Sequence, residues 1–237
     1  MRKLLITLIV LILLVIGADF AGRAIAESKA GEAIATEGGV SPAPDVDIHG
    51  MSFLWQAIAG NYQHITVASH DLSTGKLTGV DATVELYDVR LTISDVLDGN
   101  VDSLTSGHAD ITASIPAPVL ASVLEQQELT VAAGDNGALR LGTTVAAAGQ
   151  TFPVTIDVTP TYADGTLRLG NAKVVEAPAA VPTALTNALI KDFSIDLPLT
   201  GLPFRLDSAT ARVDGSALVL TGSARDVQLG QLLQAAG

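Results

Sequence analysis

The sequence predicts an α+β fold that is mostly β: a long, highly curved antiparallel sheet wrapped around one or two helices, preceded by an N-terminal apolar helix. Three observations predict it. Apolar and polar residues alternate with period two from Ile65 onward, as they do in half-buried strands. Turn sequences rich in Gly, Asp and Asn separate these stretches, so sequential strands run antiparallel. Two stretches with helical apolar spacing, each opened by prolines, interrupt the strands.

The N-terminal element comes first. Arg2 and Lys3 precede an apolar run from Leu4 to Ala18 in which Thr7 is the only polar side chain. A charged start followed by an apolar stretch is the pattern of an export signal. The run is shorter than the roughly 20 residues of a stable membrane span. Ala24-Ile25-Ala26 places small residues where a signal peptidase reads them, with cleavage before Glu27. Asp19 and Arg23, and a helical pattern that continues through Ile25 and Ile34, fit an uncleaved anchor with Phe20 and Arg23 at the outer interface. Both readings stand. In either, the basic residues stay inside and the remainder is exported, to the periplasm-like space of a cell envelope. An uncleaved segment would hold it on the outer face of the cytoplasmic membrane.

The predicted organisation is therefore a signal or anchor over 1–26, a helix and linker over 27–44, and a β-rich domain over 45–237. Glu27 to Gly38 reads as helix, and Ser41-Pro42-Ala43-Pro44 as linker. Asp45 to His49 is a strand, and Ser52 caps a short helix from Phe53 to Ala59 that ends at Gly60-Asn61. Strands follow around Ile65–His70, Val80–Tyr87 and Val89–Ser94. A helix opens after Ser114-Ile115-Pro116 and runs to about Gln127, with Val119, Leu120, Val123 and Leu124 on its apolar face. Four strands come next: Leu129–Ala133, Ala138–Ala147, Thr151–Tyr162 and Thr166–Val175. A second helix follows Pro178 and Pro182, with Val181, Leu185, Ala188 and Leu189 as its apolar face and Lys191 at its end. A last hairpin, Phe204–Val213 and Ala217–Gly222, turns at Asp214-Gly215.

Composition limits the function. The chain has no cysteine, so it carries no disulfide framework, no thiolate metal site and no cysteine-linked lipid. Residues 27–237 hold 10 Lys and Arg against 24 Asp and Glu, a net charge of −14. Such a surface repels nucleic-acid phosphates and does not seek anionic membranes by charge. A lipid ligand would need an apolar cavity.

No dinucleotide fingerprint, phosphate loop, zinc-protease motif or nucleophile elbow is present. None of His49, His64, His70 and His108 has a partner at a recognised metal spacing. His64 and His70 share a strand face but are about 20 Å apart along it. No motif selects a catalytic residue, a metal or a cofactor, so the expectation is a binding protein and not an enzyme, with a hydrolase whose Ser-His-Asp triad is dispersed along the chain as the remaining alternative. The unusual feature is the apolar supply. Phe53, Leu54, Trp55 and Ile58 form the densest aromatic-aliphatic cluster beyond the N-terminus. They are either a core plug or an entrance to an apolar cavity. The two later helix faces, including Val119, Leu120, Val123, Leu124, Leu185 and Leu189, pose the same choice. A curved sheet lined with Ala, Val and Thr leaves room for an acyl chain.

Three segments carry a resemblance. Ile48-His49-Gly50-Met51-Ser52-Phe53-Leu54, with Ala59-Gly60-Asn61-Tyr62 and Ile65-Thr66-Val67, is similar to the opening signature of one family. That signature has a proline where Met51-Ser52 stands here. Leu86-Tyr87-Asp88-Val89 and Gly107-His108-Ala109-Asp110-Ile111 resemble its middle. Leu202-Pro203-Phe204 and the run from Leu218 through Val227 resemble its C-terminal hairpin. The chain thus resembles the LmeA-like phospholipid-binding proteins of actinobacterial envelopes across most of residues 45–230. The resemblance implies a tubular lipid-binding-like sheet, a phospholipid held in an apolar groove, and a role in lipid transfer or in envelope glycolipid and cell-wall upkeep. It implies no catalytic residues. The alternative expectation is a structural or interaction protein of the envelope with an ordinary packed core and no ligand.

Overall fold

The computed structural model describes residues 2–37, 41–74, 77–92, 104–123, 128–164, 166–198 and 206–228. Among them are four α-helices and eleven strands. In chain order they are α1 (Arg2–Glu37), β1 (Asp45–His49), α2 (Phe53–Ala59), β2 (Asn61–Thr74), β3 (Leu77–Arg90), β4 (Thr105–Pro116) and α3 (Ala117–Val123). The rest are β5 (Thr130–Ala133), β6 (Leu139–Ala147), β7 (Gln150–Ala163), β8 (Thr166–Glu176), α4 (Thr183–Asp192), β9 (Ile195–Pro198), β10 (Ser208–Asp214) and β11 (Ala217–Gln228). The fold is mostly β, with an N-terminal helix, as the alternation predicts. The strands form two hydrogen-bonded sheets, in the orders β1-β2-β3-β4-β11-β10 and β5-β6-β7-β8-β9. The pairs β1–β2, β10–β11 and all those of the second sheet are antiparallel.

Residue contacts divide the chain into two compact units. Unit 1 takes in Met1–Ser69, Val84–Ala109 and Arg225–Gly237; unit 2 takes in His70–Thr83 and Asp110–Ala224. The core of unit 2 is built by strand alternation. Leu139 and Leu141 on β6, Val154, Ile156 and Val158 on β7, and Leu169 on β8 all point inward and are fully buried. Each such side chain contributes about 1.5–3 kcal/mol of burial. Phe193, just past α4, and Leu218 on β11 complete the cluster. The core of unit 1 holds Val46, Ile48, Phe53, Tyr62, Leu86 and Val89.

Turn chemistry fixes the hairpins. Between β6 and β7, Ala148 and Gly149 both take positive φ, 52° and 77°, in a two-residue turn that matches strand twist. Between β10 and β11, Gly215 has φ 60° at the first of two turn positions, where only glycine is comfortable.

The differences from expectation have local causes. β3 is one strand where the pattern predicts a break near Asp88. Asp88 has φ 52°, a left-handed residue that bulges the strand and shifts the phase of its alternation: Leu86 and Val89, three apart, are both buried. The sequence shows the phase change but not the continuity of the strand across it. β11 runs six residues beyond the expected Gly222, through a second left-handed aspartate, Asp226. β9 has only four residues, with Asp196 inside it, too short to leave a period. As the helical pattern through Ile25 and Ile34 predicts, α1 is continuous through Ala26 and Glu27 to Glu37. The expected end of the third helix near Gln127 and the strand end at Ser94 lie outside the described residues. Among those residues, no helix is long and apolar enough to cross a membrane.

Candidate functional site

The ten apolar residues singled out in the sequence fall into both units. In unit 2, α3 follows β4 directly, and α4 starts after Pro182, whose extended backbone precedes the first turn. Leu120 is 2% exposed and Leu189 6%, both inside the core cluster. Val119 and Leu185 are half-buried and pack against the edge of the same cluster. The structure thus brings Val119, Leu120, Leu185 and Leu189 into one apolar cluster with two deep members and two at its rim. Val123 ends α3, and Leu124 lies outside the described residues.

In unit 1, the cluster on α2 splits. Phe53 is buried beside the Tyr62 ring, with centroids 6.4 Å apart, and Leu54 is half-buried. Trp55 and Ile58 are each 73% exposed, three residues apart on the outer face, and Met51 just before them is fully exposed. α2 forms because Ser52 caps it: its Oγ accepts from Trp55 N at 3.3 Å. Gly60, left-handed at φ 64°, ends it. The buried Gln56 side chain donates to His49 O and accepts from Gln63 N, which ties β1 and β2 to the helix between them.

α1 is bound to this corner by its polar face. The Asp19 carboxylate accepts from Ser52 Oγ at 2.8 Å, from Leu54 N at 2.7 Å and from Phe53 N at 3.1 Å. The Leu54 N–H, then the Ser52 hydroxyl, the Phe53 N–H and the Arg23 charge, hold this carboxyl below the usual carboxylate range. Arg23 donates to Gly50 O at 2.7 Å, and Glu27 Oε1 accepts from Ile48 N at 2.8 Å. A Cβ on Gly31 would lie 2.6 Å from Pro44 O, so only glycine lets the helix approach there. Asp19, Arg23, Glu27 and Gly31 are four apart, hence on one helix face. Sequence reasoning missed this clasp. The i, i+4 spacing of its polar members just past an apolar run is the signal that would have found it.

Two polar features of unit 1 were also not predicted. The rings of His49, His64, Tyr87 and His108 stack in succession across β1 to β4, with centroids 4.4, 4.6 and 5.9 Å apart. Tyr87 donates to Glu85 Oε2 at 2.6 Å. This is cross-strand packing, each contact contributing about 0.5–1.5 kcal/mol. His70, in unit 2, faces Asp81 at 3.4 Å instead. Separately, a cleft of about 550 Å³ is lined by Asn61, Asp88, Arg90, Ser106, Asp226 and Gln228, among others. Its walls are polar and charged, chemistry unsuited to an acyl chain. Among the described residues no three His, Asp or Glu side chains gather as a metal site.

No curated protein and no solved structure matches the chain. The sequence pattern of the LmeA-like phospholipid-binding family matches residues 17–223, from inside α1 to within β11. That stretch is most of the 237 residues and includes the Asp19 clasp, α2, and both helix faces of unit 2, so the chain belongs to the LmeA-like phospholipid-binding family.

Proposed function

We propose that this is an exported bacterial envelope protein that holds a phospholipid in an apolar groove and serves lipid transfer or the upkeep of envelope glycolipid and cell wall. It acts by binding, without covalent chemistry. The family match over residues 17–223 is the observation that carries this reading. In unit 2 the acyl chains lie against the rim side chains Val119 and Leu185, with Leu120 and Leu189 beneath. Half-buried apolar side chains at the edge of a packed core are available to a ligand without opening the core. The net charge of −14 over residues 27–237 leaves apolar contact as the means of capture.

One observation favours a second reading, a structural or interaction protein with an ordinary core. Leu120 and Leu189 already have protein around them, being only 2% and 6% exposed. Incubating the full chain with envelope lipid extract, then recording native mass spectra and identifying the released lipid, separates the two. A discrete phospholipid at near one-to-one ratio is the expected result. A clean ligand-free mass from folded protein would transfer the case to the second reading.

A further inference from the structure

We infer that α2 is a membrane-contact foot, held at the bilayer surface by its clasp to α1, and that α1 is kept after export as part of unit 1. Two independent observations meet here. The first is the apolar part of α1. Leu11 to Ile16 are six consecutive residues, each 47–65% exposed. At about 3.6 residues per turn they cover every side of the helix. A protein partner covers one stripe of a helix; a helix apolar all round is matched by lipid on all sides. The second is α2, whose inner face of Phe53, Gln56 and Ala57 is buried while Trp55 and Ile58, with Met51 before them, are left in the open. Tryptophan beside aliphatic side chains is the composition of a bilayer interface.

The clasp sets the level at which they meet. The apolar run ends at Ala18, and the next residue, Asp19, bonds to the first turn of α2 through Ser52, Phe53 and Leu54. Ser52 in turn receives Trp55 N. Trp55 is thereby fixed within one helical turn of the point where α1 leaves apolar surroundings. Phe20, also exposed, lies at the same level on α1. At about 1.5 Å per residue, Leu4–Ala18 is about 22 Å long against a hydrocarbon core of about 30 Å. So short an insertion is reinforced by a second apolar contact. The clasp also bears on cleavage: a cut after Ala26 would remove Asp19 and Arg23, which hold α2 and Gly50 and lie inside the family match. None of this depends on a lipid being carried in unit 2.

Trp55 is the only tryptophan in the chain, so its fluorescence reports on α2 without substitution. The full chain, produced by an exporting host, is reconstituted in phosphatidylcholine vesicles. The expected result is an intact N-terminal mass and blue-shifted emission. The emission is quenched strongly by lipids brominated near the headgroup, in proportion to their fraction in the bilayer, and weakly by aqueous iodide. Asp19→Ala should return Trp55 to iodide while vesicle flotation through α1 persists. Strong iodide quenching of the unaltered chain without bromolipid quenching would overturn the inference. So would shielding from both quenchers, which would place a protein partner or a second copy on α2, or a mass beginning at Glu27. Unchanged bromolipid quenching in the Asp19→Ala chain would overturn the role of the clasp.

Discussion

Arg140 and Asp157 are register partners across β6 and β7, and they meet in a two-pronged ion pair. Nε donates to Oδ1 and Nη2 to Oδ2, both at 2.8 Å, with the two side chains 32% and 16% exposed. The Arg140 hydrogen bonds and then its charge, with a smaller contribution from Lys173, hold the Asp157 carboxyl below its ordinary range. The guanidinium is pushed further up and stays charged. A carboxylate with a depressed folded pKa stabilises the fold above its unfolded value, about 3.9, and loses that contribution as pH falls through the folded value. Asp157→Asn should therefore lower the urea midpoint at pH about 7, and flatten its decline between pH about 5 and 2. If variant and parent decline in parallel, the pair contributes nothing to acid stability. Asp196, paired with Arg168 at 2.7 Å, is shifted the same way but is far more exposed and should matter less.

At the scale of elements, α4 presents two leucines with different duties. Leu189 sits in the core beside Phe193, and Leu189→Ala should cost about 2–5 kcal/mol in stability. Leu185 is at the rim, so Leu185→Ser should lower phospholipid occupancy in native mass spectra with a smaller loss in thermal midpoint. Unaltered occupancy would take the acyl contact off this helix. The elements whose signals are local were legible in the sequence. α2 was readable to the residue because Ser52 and Gly60 mark its ends, and the β6–β7 hairpin because Gly149 supplies a residue at ease with positive φ between two alternating runs. What was not legible depends on distant partners. Asp19 meets Ser52 from 33 positions away: the i, i+4 spacing of Asp19, Arg23 and Glu27 marks a polar helix face but does not name the partner it docks on. Whether Trp55 or Phe53 faces inward is decided by Tyr62 and Gly22, which lie on other elements. The left-handed Asp88 leaves a shift of phase that reads as a gap between strands.

For the whole molecule the decisive quantity is charge. Residues 27–237 carry −14, with Arg140 and Arg168 already paired to carboxylates. A protein that reached lipid through a basic patch would favour anionic vesicles and weaken in salt. The opposite sign applies here. Approach to an anionic bilayer is opposed over a Debye length, about 30 Å at 0.01 M salt and about 8 Å at 0.15 M. Uptake of labelled phospholipid from phosphatidylcholine vesicles should then be insensitive to salt, because apolar transfer sets its rate. Adding anionic lipid to the vesicles should slow uptake at about 0.01 M salt, and the slowing should fade toward about 0.15 M. Faster uptake from anionic vesicles at low salt would mean that a local cationic surface overrides the net charge. Arg90, exposed in the polar cleft of unit 1, would then be the first residue to substitute.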